Sequence, residues 1–294
     1  MPFTAKSGKF NASINTVEFG TGDKAVKIGG ENVFPLYSFD AAIENAPKVG
    51  IEITDFGMEH EPECIKKYYE GCATLADMAR KAASMEGVDF LSFRMEGGDP
   101  NGANKSTEEL IGELKEIADA VDLPLVVCGC KNVEKDAELF SKAAEALNGK
   151  NAVILSAKEE NYKTVGAAAG LAYKQIVGAE SAVDINLAKQ LNVLISQLGV
   201  DSKSVVMNVG SAAVGYGFEY VISTMDRVKA AALQQGDANL QMPIITPVAS
   251  EAWGVKEAMA SETDAPEWGS QEERGIDMEV ETAMAVIAAG SNAV

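Results

Sequence analysis

The sequence predicts an α/β protein, a TIM-type (β/α)8 barrel with an N-terminal β-hairpin cap. Three observations predict it. From residue 49 onward a short apolar run, a polar loop and a helix-forming segment recur in that order. Strands that alternate with helices make a parallel sheet, and eight such units make a closed ring. The length of 294 residues accommodates that ring, which takes about 250 residues, with a preface to spare. An open doubly wound sheet is the other arrangement compatible with the rhythm, because periodicity does not report closure.

Residues 1–48 form the preface. Val17–Phe19, Ala25–Ile28 and Val33–Phe34 are short apolar patches separated by glycine turns, which predicts antiparallel strands that cover one end of the barrel. Residues 49–294 form the barrel. Its strands are expected at Val49–Ile53, Phe90–Phe93, Leu125–Cys128, Ala152–Leu155, Gln175–Gly178, Val205–Val209, Ile244–Val248 and Asn292–Val294. Helix starts are marked by the capping box Ser106–Glu109, by Asn132 and by Asp184. Leu187, Leu191, Leu194 and Leu198 form one helical stripe, and Val221, Met225, Val228 and Ala232 another. One helix is expected near 250–260 and a last one up to about Ala289. The sequence stops as the eighth strand begins, so the last strand and helix are expected to be incomplete, with apolar surface left around them.

Charge narrows the function. Against 25 Lys and Arg stand 44 Asp and Glu, a net charge of −19. This excludes duplex nucleic acid and anionic membrane surfaces as natural partners, since both require a basic face. No run reaches the roughly 20 apolar residues of a membrane span, and the N-terminus lacks a signal-peptide core, so a cytoplasmic location is expected. Four cysteines in that compartment are expected to be reduced.

Polar residues at strand ends supply the candidate site. Val205–Tyr220 reads as a buried strand, a small-residue loop, a Gly215-Tyr216-Gly217 bend and a helix. Glycines flanking an aromatic allow a tight bend or close approach to a flat ligand. The loop follows a strand's C-terminal end, where barrel enzymes and carriers place their ligands. Asp184 is either an N-cap or, with Asn186, a hydrogen-bonding pair for a heterocycle or amide. Asn208, Thr246 and Glu251 lie at the ends of strands six and seven. The expected mouth is an uncharged bowl floored by the Gly-Tyr-Gly bend. Cys128-Gly129-Cys130 matches no zinc or iron–sulfur spacing and reads as small strand-end residues. The single histidine, His60, reads as a solvated loop residue, and no multi-histidine metal site is available. Gly97–Gly102 lacks the Gly-Lys-Ser/Thr of a phosphate loop and reads as a tight turn.

Several longer stretches resemble one family. They are Glu134-Lys135-Asp136, Glu160–Lys163, Asp184-Ile185-Asn186 with Lys189–Asn192, Gly215–Tyr220, Met242–Ile245, Glu251-Ala252-Trp253 and Glu273-Arg274-Gly275. In this order they resemble the small (delta) subunit of the corrinoid iron–sulfur protein of the CO dehydrogenase/acetyl-CoA synthase system. The resemblance implies an α/β barrel paired with a large (gamma) subunit that carries a [4Fe-4S] cluster and a mobile corrinoid-binding domain. It implies a corrinoid (cobalamin) at the interface, which takes a methyl group from methyltetrahydrofolate or a tetrahydropterin through a methyltransferase. The methyl then passes to acetyl-CoA synthase. The cofactor-facing set on this reading is Asp184, Asn186, Asn208, Gly215, Tyr216, Gly217 and Thr246. The chain itself holds no metal and serves as a non-catalytic subunit. The alternative is a tetrahydropterin-dependent methyltransferase in its own right, binding the pterin at the same mouth through Asp184, Asn186 and Asn208. A third reading is a structural adaptor with a vestigial mouth.

Overall fold

Alternation within each strand dictates two cores. A computed structural model describes residues 8–294, so the first seven residues of the preface lie outside the described residues. Six parallel strands lie side by side in sequence order: β3 (Gly50–Thr54), β4 (Phe90–Arg94), β5 (Leu125–Cys128), β6 (Val153–Ala157), β7 (Ile176–Glu180) and β8 (Val205–Asn208). Two shorter staves complete the ring. Ile245 N donates to Met207 O at 2.9 Å, Thr246 N to Ala293 O at 3.0 Å, and Gly50 N to Val294 O at 2.8 Å. The chain therefore runs from β8 through Ile244–Ile245 and Ala293 back to β3. The barrel expectation holds, and the seventh and eighth strands are reduced to single bridges.

Side chains at alternate positions point to opposite faces of a strand. Leu91, Phe93, Val127, Ile154, Val177, Val205 and Met207 join the outer core beneath the helices. Phe90, Val126, Cys128, Val153, Leu155, Ile176 and Val206 join the inner core. Helices α1 (Glu63–Tyr68), α2 (Leu75–Ala83), α3 (Thr107–Ala120), α4 (Val133–Ala146), α5 (Tyr162–Val165), α6 (Ile185–Gln197) and α7 (Phe218–Leu233) supply the outer layer. Fully burying each large apolar side chain contributes about 1.5–3 kcal/mol, so both layers matter to stability.

The caps expected from sequence are present. Ser106 accepts from Glu109 N, Asn132 from Lys135 N, and Asp184 from Asn186 N and Leu187 N. Val221, Met225, Val228 and Ala232 are all buried on α7. On α6 the buried face centres instead on Ala188, Leu191, Asn192 and Ile195. The expected leucine stripe is rotated because Asn192 turns inward, where its Nδ2 donates to Asn239 O.

Strands β1 (Val17–Phe19) and β2 (Val26–Ile28) form the antiparallel hairpin. Val17, Phe19, Val26 and Ile28 face inward, while Glu18 and Lys27 face out and pair at 3.3 Å. The inward set packs on Phe90, Val153 and Ile176, the first residues of three barrel strands. The hairpin thus plugs the end opposite the strands' C-termini. Val33–Phe34 forms no strand.

The helix expected near 250–260 is two short ones, α8 (Ala249–Ala252) and α9 (Lys256–Met259). The last helix, α10 (Gln271–Ala289), has the expected end. Apolar surface does remain around the eighth stave. Ile276, Val280 and Met284, spaced by four, are exposed on α10, and a cavity of about 690 Å³ lies between β3, Pro247–Trp253 and α10. None of the described helices is long and apolar enough to cross a membrane.

Candidate functional site at the barrel mouth

Polar residues placed at inward positions of otherwise apolar strands converge at the C-terminal end of the barrel. Glu52 on β3 sits beside Arg94 on β4. Arg94 Nε and Nη2 donate to the two Glu52 carboxylate oxygens at 2.9 and 2.8 Å, a bidentate pair almost wholly removed from solvent. Burial disfavours the Arg94 charge, but the Glu52 carboxylate outweighs it and raises the guanidinium pKa above its usual value. Across the mouth, Glu180 at the end of β7 meets Lys158 Nζ at 3.2 Å and accepts from Ser156 Oγ at 3.0 Å. Asn208 Nδ2 also donates to Ser156 Oγ, at 3.1 Å, and Asn208 Oδ1 accepts from Gly210 N. A third pair, Lys131 and Glu251 at 3.1 Å, bridges the rim between the loops after β5 and after the seventh stave.

Arg94, Lys131, Ser156, Lys158, Glu180, Asn208 and Glu251 line a basin of about 310 Å³, while Glu52 lines the cavity of about 690 Å³ beside it. Leu155 and Phe140 supply apolar lining, and Arg94, Lys158, Glu180, Asn208 and Ser211 supply polar groups. Gly210 lines it with φ +98°, and a Cβ there would meet Val183 N at 3.2 Å. Only glycine lets the loop after β8 approach the loop after β7 this closely. Val183 itself has φ +59° and Ala182 φ +43°, left-handed conformations that are strained for residues with a side chain and that leave Val183 exposed at the rim.

The residues picked out from sequence fall in three places. Asn208 lines the basin. Asp184 caps α6 with its Oδ1, and Asp184 and Asn186 lie exposed just beyond the rim. Gly215 and Gly217 have φ +89° and +77°, so the bend does require glycine. The bend does not floor the basin: none of its three residues lines it. Tyr216 is 48% exposed, and its hydroxyl donates to the Glu257 carboxylate of α9. That carboxylate raises the Tyr216 hydroxyl pKa, and the same hydrogen bond lowers that of Glu257. Thr246 is fully buried, with its hydroxyl on Ser291 Oγ at 2.8 Å. Its neighbour Ile245 points into the barrel, so strand alternation turns Thr246 outward.

Nor is the mouth an uncharged bowl. Glu52, Ser92, Arg94 and Glu180 were not singled out, although Phe90-Leu91-Ser92-Phe93-Arg94 carries the signal: polar residues at every second position of an apolar strand. His60 is exposed and packs edge-on against Phe56. Gly97 is a turn residue, as read from sequence. Its N–H donates to both Asp55 carboxylate oxygens, and Lys105 pairs with Asp55 at 3.0 Å.

The four cysteines are unbridged, and no group of metal-ligating side chains occurs among the described residues. Burial pushes the Cys128 thiol up to about 11, with Arg94 pulling weakly the other way. Burial, with Asp136 adding to it, pushes Cys130 up to about 12. Thiolates are the reactive form. Iodoacetamide at neutral pH is therefore expected to label half-exposed Cys64 and Cys72 first and to spare Cys128 and Cys130 until urea unfolds the chain. Peptide mass mapping reads the order, and early labelling of Cys128 contradicts it.

The fold defines a class: parallel α/β barrels with an N-terminal hairpin across one end. Among solved structures the chain resembles dihydropteroate synthase from Xanthomonas albilineans with 4-aminobenzoic acid, at a TM-score of 0.51 and 14% identity over 84% of this chain and 86% of that one. The Yersinia pestis dihydropteroate synthase gives a TM-score of 0.50 at 12% identity over 84% of this chain and 85% of that one. At such identities the likeness concerns the fold alone. Sequence comparison is more specific: residues 16–286 match the CO dehydrogenase/acetyl-CoA synthase delta subunit family, and the chain belongs to that family. It is 30% identical to acetyl-CoA decarbonylase/synthase complex subunit delta 1 of Methanosarcina thermophila, over 93% of this chain and 63% of the relative. It is 32% identical to the delta subunit of Methanothermobacter thermautotrophicus, over 84% of this chain and 63% of the relative. To the delta subunit of Methanocaldococcus jannaschii it is 31% identical, over 96% and 70%. The chain thus spans less than two thirds of the first two relatives.

Proposed function

We propose that this chain is the barrel half of a corrinoid methyl carrier within an acetyl-CoA decarbonylase/synthase complex, covering one face of a corrinoid held by a larger partner subunit. That partner also carries the [4Fe-4S] cluster on this reading. The observation that carries the proposal is the pairing of charges at the mouth. Glu52 with Arg94, Glu180 with Lys158 and Lys131 with Glu251 neutralise one another, which suits a surface that shields a cofactor. A corrinoid when bound supplies a cobalt that carries the methyl group, and the protein supplies position and shielding.

The residues present fit such a group. Ala182, Val183, Gly210 and Ser211 line this side of the basin, and Gly210, at φ +98°, keeps the two loops close where a Cβ would be tight against Val183 N. Asn208 and Ser211 offer neutral polar groups for the amide fringe of a corrin. The single histidine packs on Phe56 and lines the neighbouring cavity of about 690 Å³ and not the basin. Tyr216, Asp184 and Asn186 are exposed outside the basin, where a partner domain would dock. A cytoplasmic complex with a methyltransferase and acetyl-CoA synthase completes the reading.

Mixing the purified chain with the corrinoid-loaded large subunit is expected to give a 1:1 complex with a corrinoid spectrum. Tyr216→Ala is expected to weaken that complex by about 1 kcal/mol, the scale of one lost aromatic contact. A chain that stays monomeric beside the large subunit contradicts the proposal. Tight binding of a tetrahydropterin by the isolated chain would favour a methyltransferase instead.

A further inference from the structure

We propose that the basin below the mouth seats one carboxamide arm of the corrin, with Glu180, Asn208 and Lys158 of this chain as its hydrogen-bonding partners. The inference rests on the corrinoid-covering role proposed above and specifies how this chain reads the ring. Size sets the first constraint. The basin holds about 310 Å³ and shares Arg94, Leu155, Pro247 and Ser250 with the cavity of about 690 Å³ beside it, so the basin itself has room for a side arm and not for a whole corrin.

Hydrogen-bond capacity sets the second. An ionised carboxylate offers about four lone-pair sites. Glu180 uses one on Ser156 Oγ and one on Lys158 Nζ. An ammonium has three donors, and Lys158 Nζ uses one of them on Glu180. Asn208 Nδ2 donates once, to Ser156, which leaves its second N–H. Arg94 spends Nε and Nη2 on Glu52, and its Nη1 adds donor capacity from the same wall. The free capacity is therefore an acceptor at Glu180 beside donors at Lys158, Asn208 and Arg94. A primary carboxamide presents an N–H₂ and a C=O side by side and satisfies both. A carboxylate satisfies the donors but turns a negative oxygen toward Glu180, and a hydrocarbon satisfies neither.

Cobalamin and its monocarboxylates at each primary carboxamide, the a, c and g acetamides and the b, d and e propionamides, test this. Each is equilibrated with the heterodimer of this chain and the large subunit, and retention is read by dialysis and the visible spectrum. One of these acids is expected to bind about tenfold more weakly than cobalamin, the size of one mismatched buried polar contact. Glu180→Gln is expected to abolish that discrimination, because a neutral amide no longer repels the acid. Asn208→Leu is expected to weaken cobalamin itself several-fold. Equal retention of every one of these acids and cobalamin by the wild-type pair overturns the seat and leaves the covering role standing. Discrimination that persists in the Glu180→Gln pair overturns it equally. A wild-type pair that retains no cobalamin overturns the covering role and the seat together.

Discussion

Replacing Lys229 by Met is expected to lower the stability of the barrel by about 3–5 kcal/mol, the scale found when one member of a buried ion pair is removed. Lys229 on α7 is 1% exposed, and its Nζ meets Glu31 Oε1 at 2.8 Å and Asn292 Oδ1 at 3.0 Å. Asn292 returns a hydrogen bond to Glu31 Oε1 and accepts one from Ile244 N. One cluster therefore ties the preface, the outer helix layer and the two shortest staves of the ring. Glu31 Oε2 already lacks a partner in its buried site, so removing the ammonium leaves a buried carboxylate held by Asn292 alone. Burial raises the Glu31 pKa, but Lys229 and Asn292 outweigh it, and the net shift is downward. A lowered carboxyl pKa adds stability above the ordinary glutamate range and loses it as pH falls through the folded-state value. The gap between wild type and Lys229→Met is thus expected to be full at pH 7 and to shrink on acidification. Urea denaturation at pH 7 and pH 4 measures both. A variant within 1 kcal/mol of wild type at pH 7 refutes the account. Pairing Lys229→Met with Glu31→Leu is expected to recover much of the loss, because no buried charge is then left alone.

The second large effect is expected at Arg94→Met, inside the barrel. It strands Glu52 at an inward position of β3 and is expected to cost a further variant-specific loss of about 3–5 kcal/mol. Arg94→Lys is expected to rescue only part of it, because a point-like ammonium cannot reproduce the two parallel hydrogen bonds of the guanidinium. The same change alters the mouth, since Arg94 lines the basin. It also removes the cation that pulls the Cys128 thiol down, so alkylation of Cys128 in the folded variant is expected to be slower still. Melting curves for the Met and Lys variants decide the stability claim. Full rescue by Lys would show that charge alone matters and would refute the bidentate argument.

Legibility followed periodicity. The strand runs, the caps at Ser106, Asn132 and Asp184, and the α7 face were readable because each is a local pattern that helix or strand geometry enforces. The site was less so. Asn208 was found because it ends a strand, and so was Thr246. Both were chosen by position along the chain, yet alternation sends Asn208 into the basin and Thr246 toward Ser291. The Gly-Tyr-Gly bend is legible as a turn, but its contact with Glu257 of α9, 41 positions further along the chain, is not.

By itself the sequence determined the order of the six barrel strands and of the two bridging staves after them, the hairpin at the barrel's lower end, and the family to which the chain belongs. Those properties are written in local spacing and in residue order. Only the tertiary structure decided which charges meet. Glu52 and Arg94 are 42 residues apart, Lys131 and Glu251 are 120, and Glu31 and Lys229 are 198. Ring closure and strand register bring such pairs together, and no spacing along a chain records how a sheet curls back on its first strand.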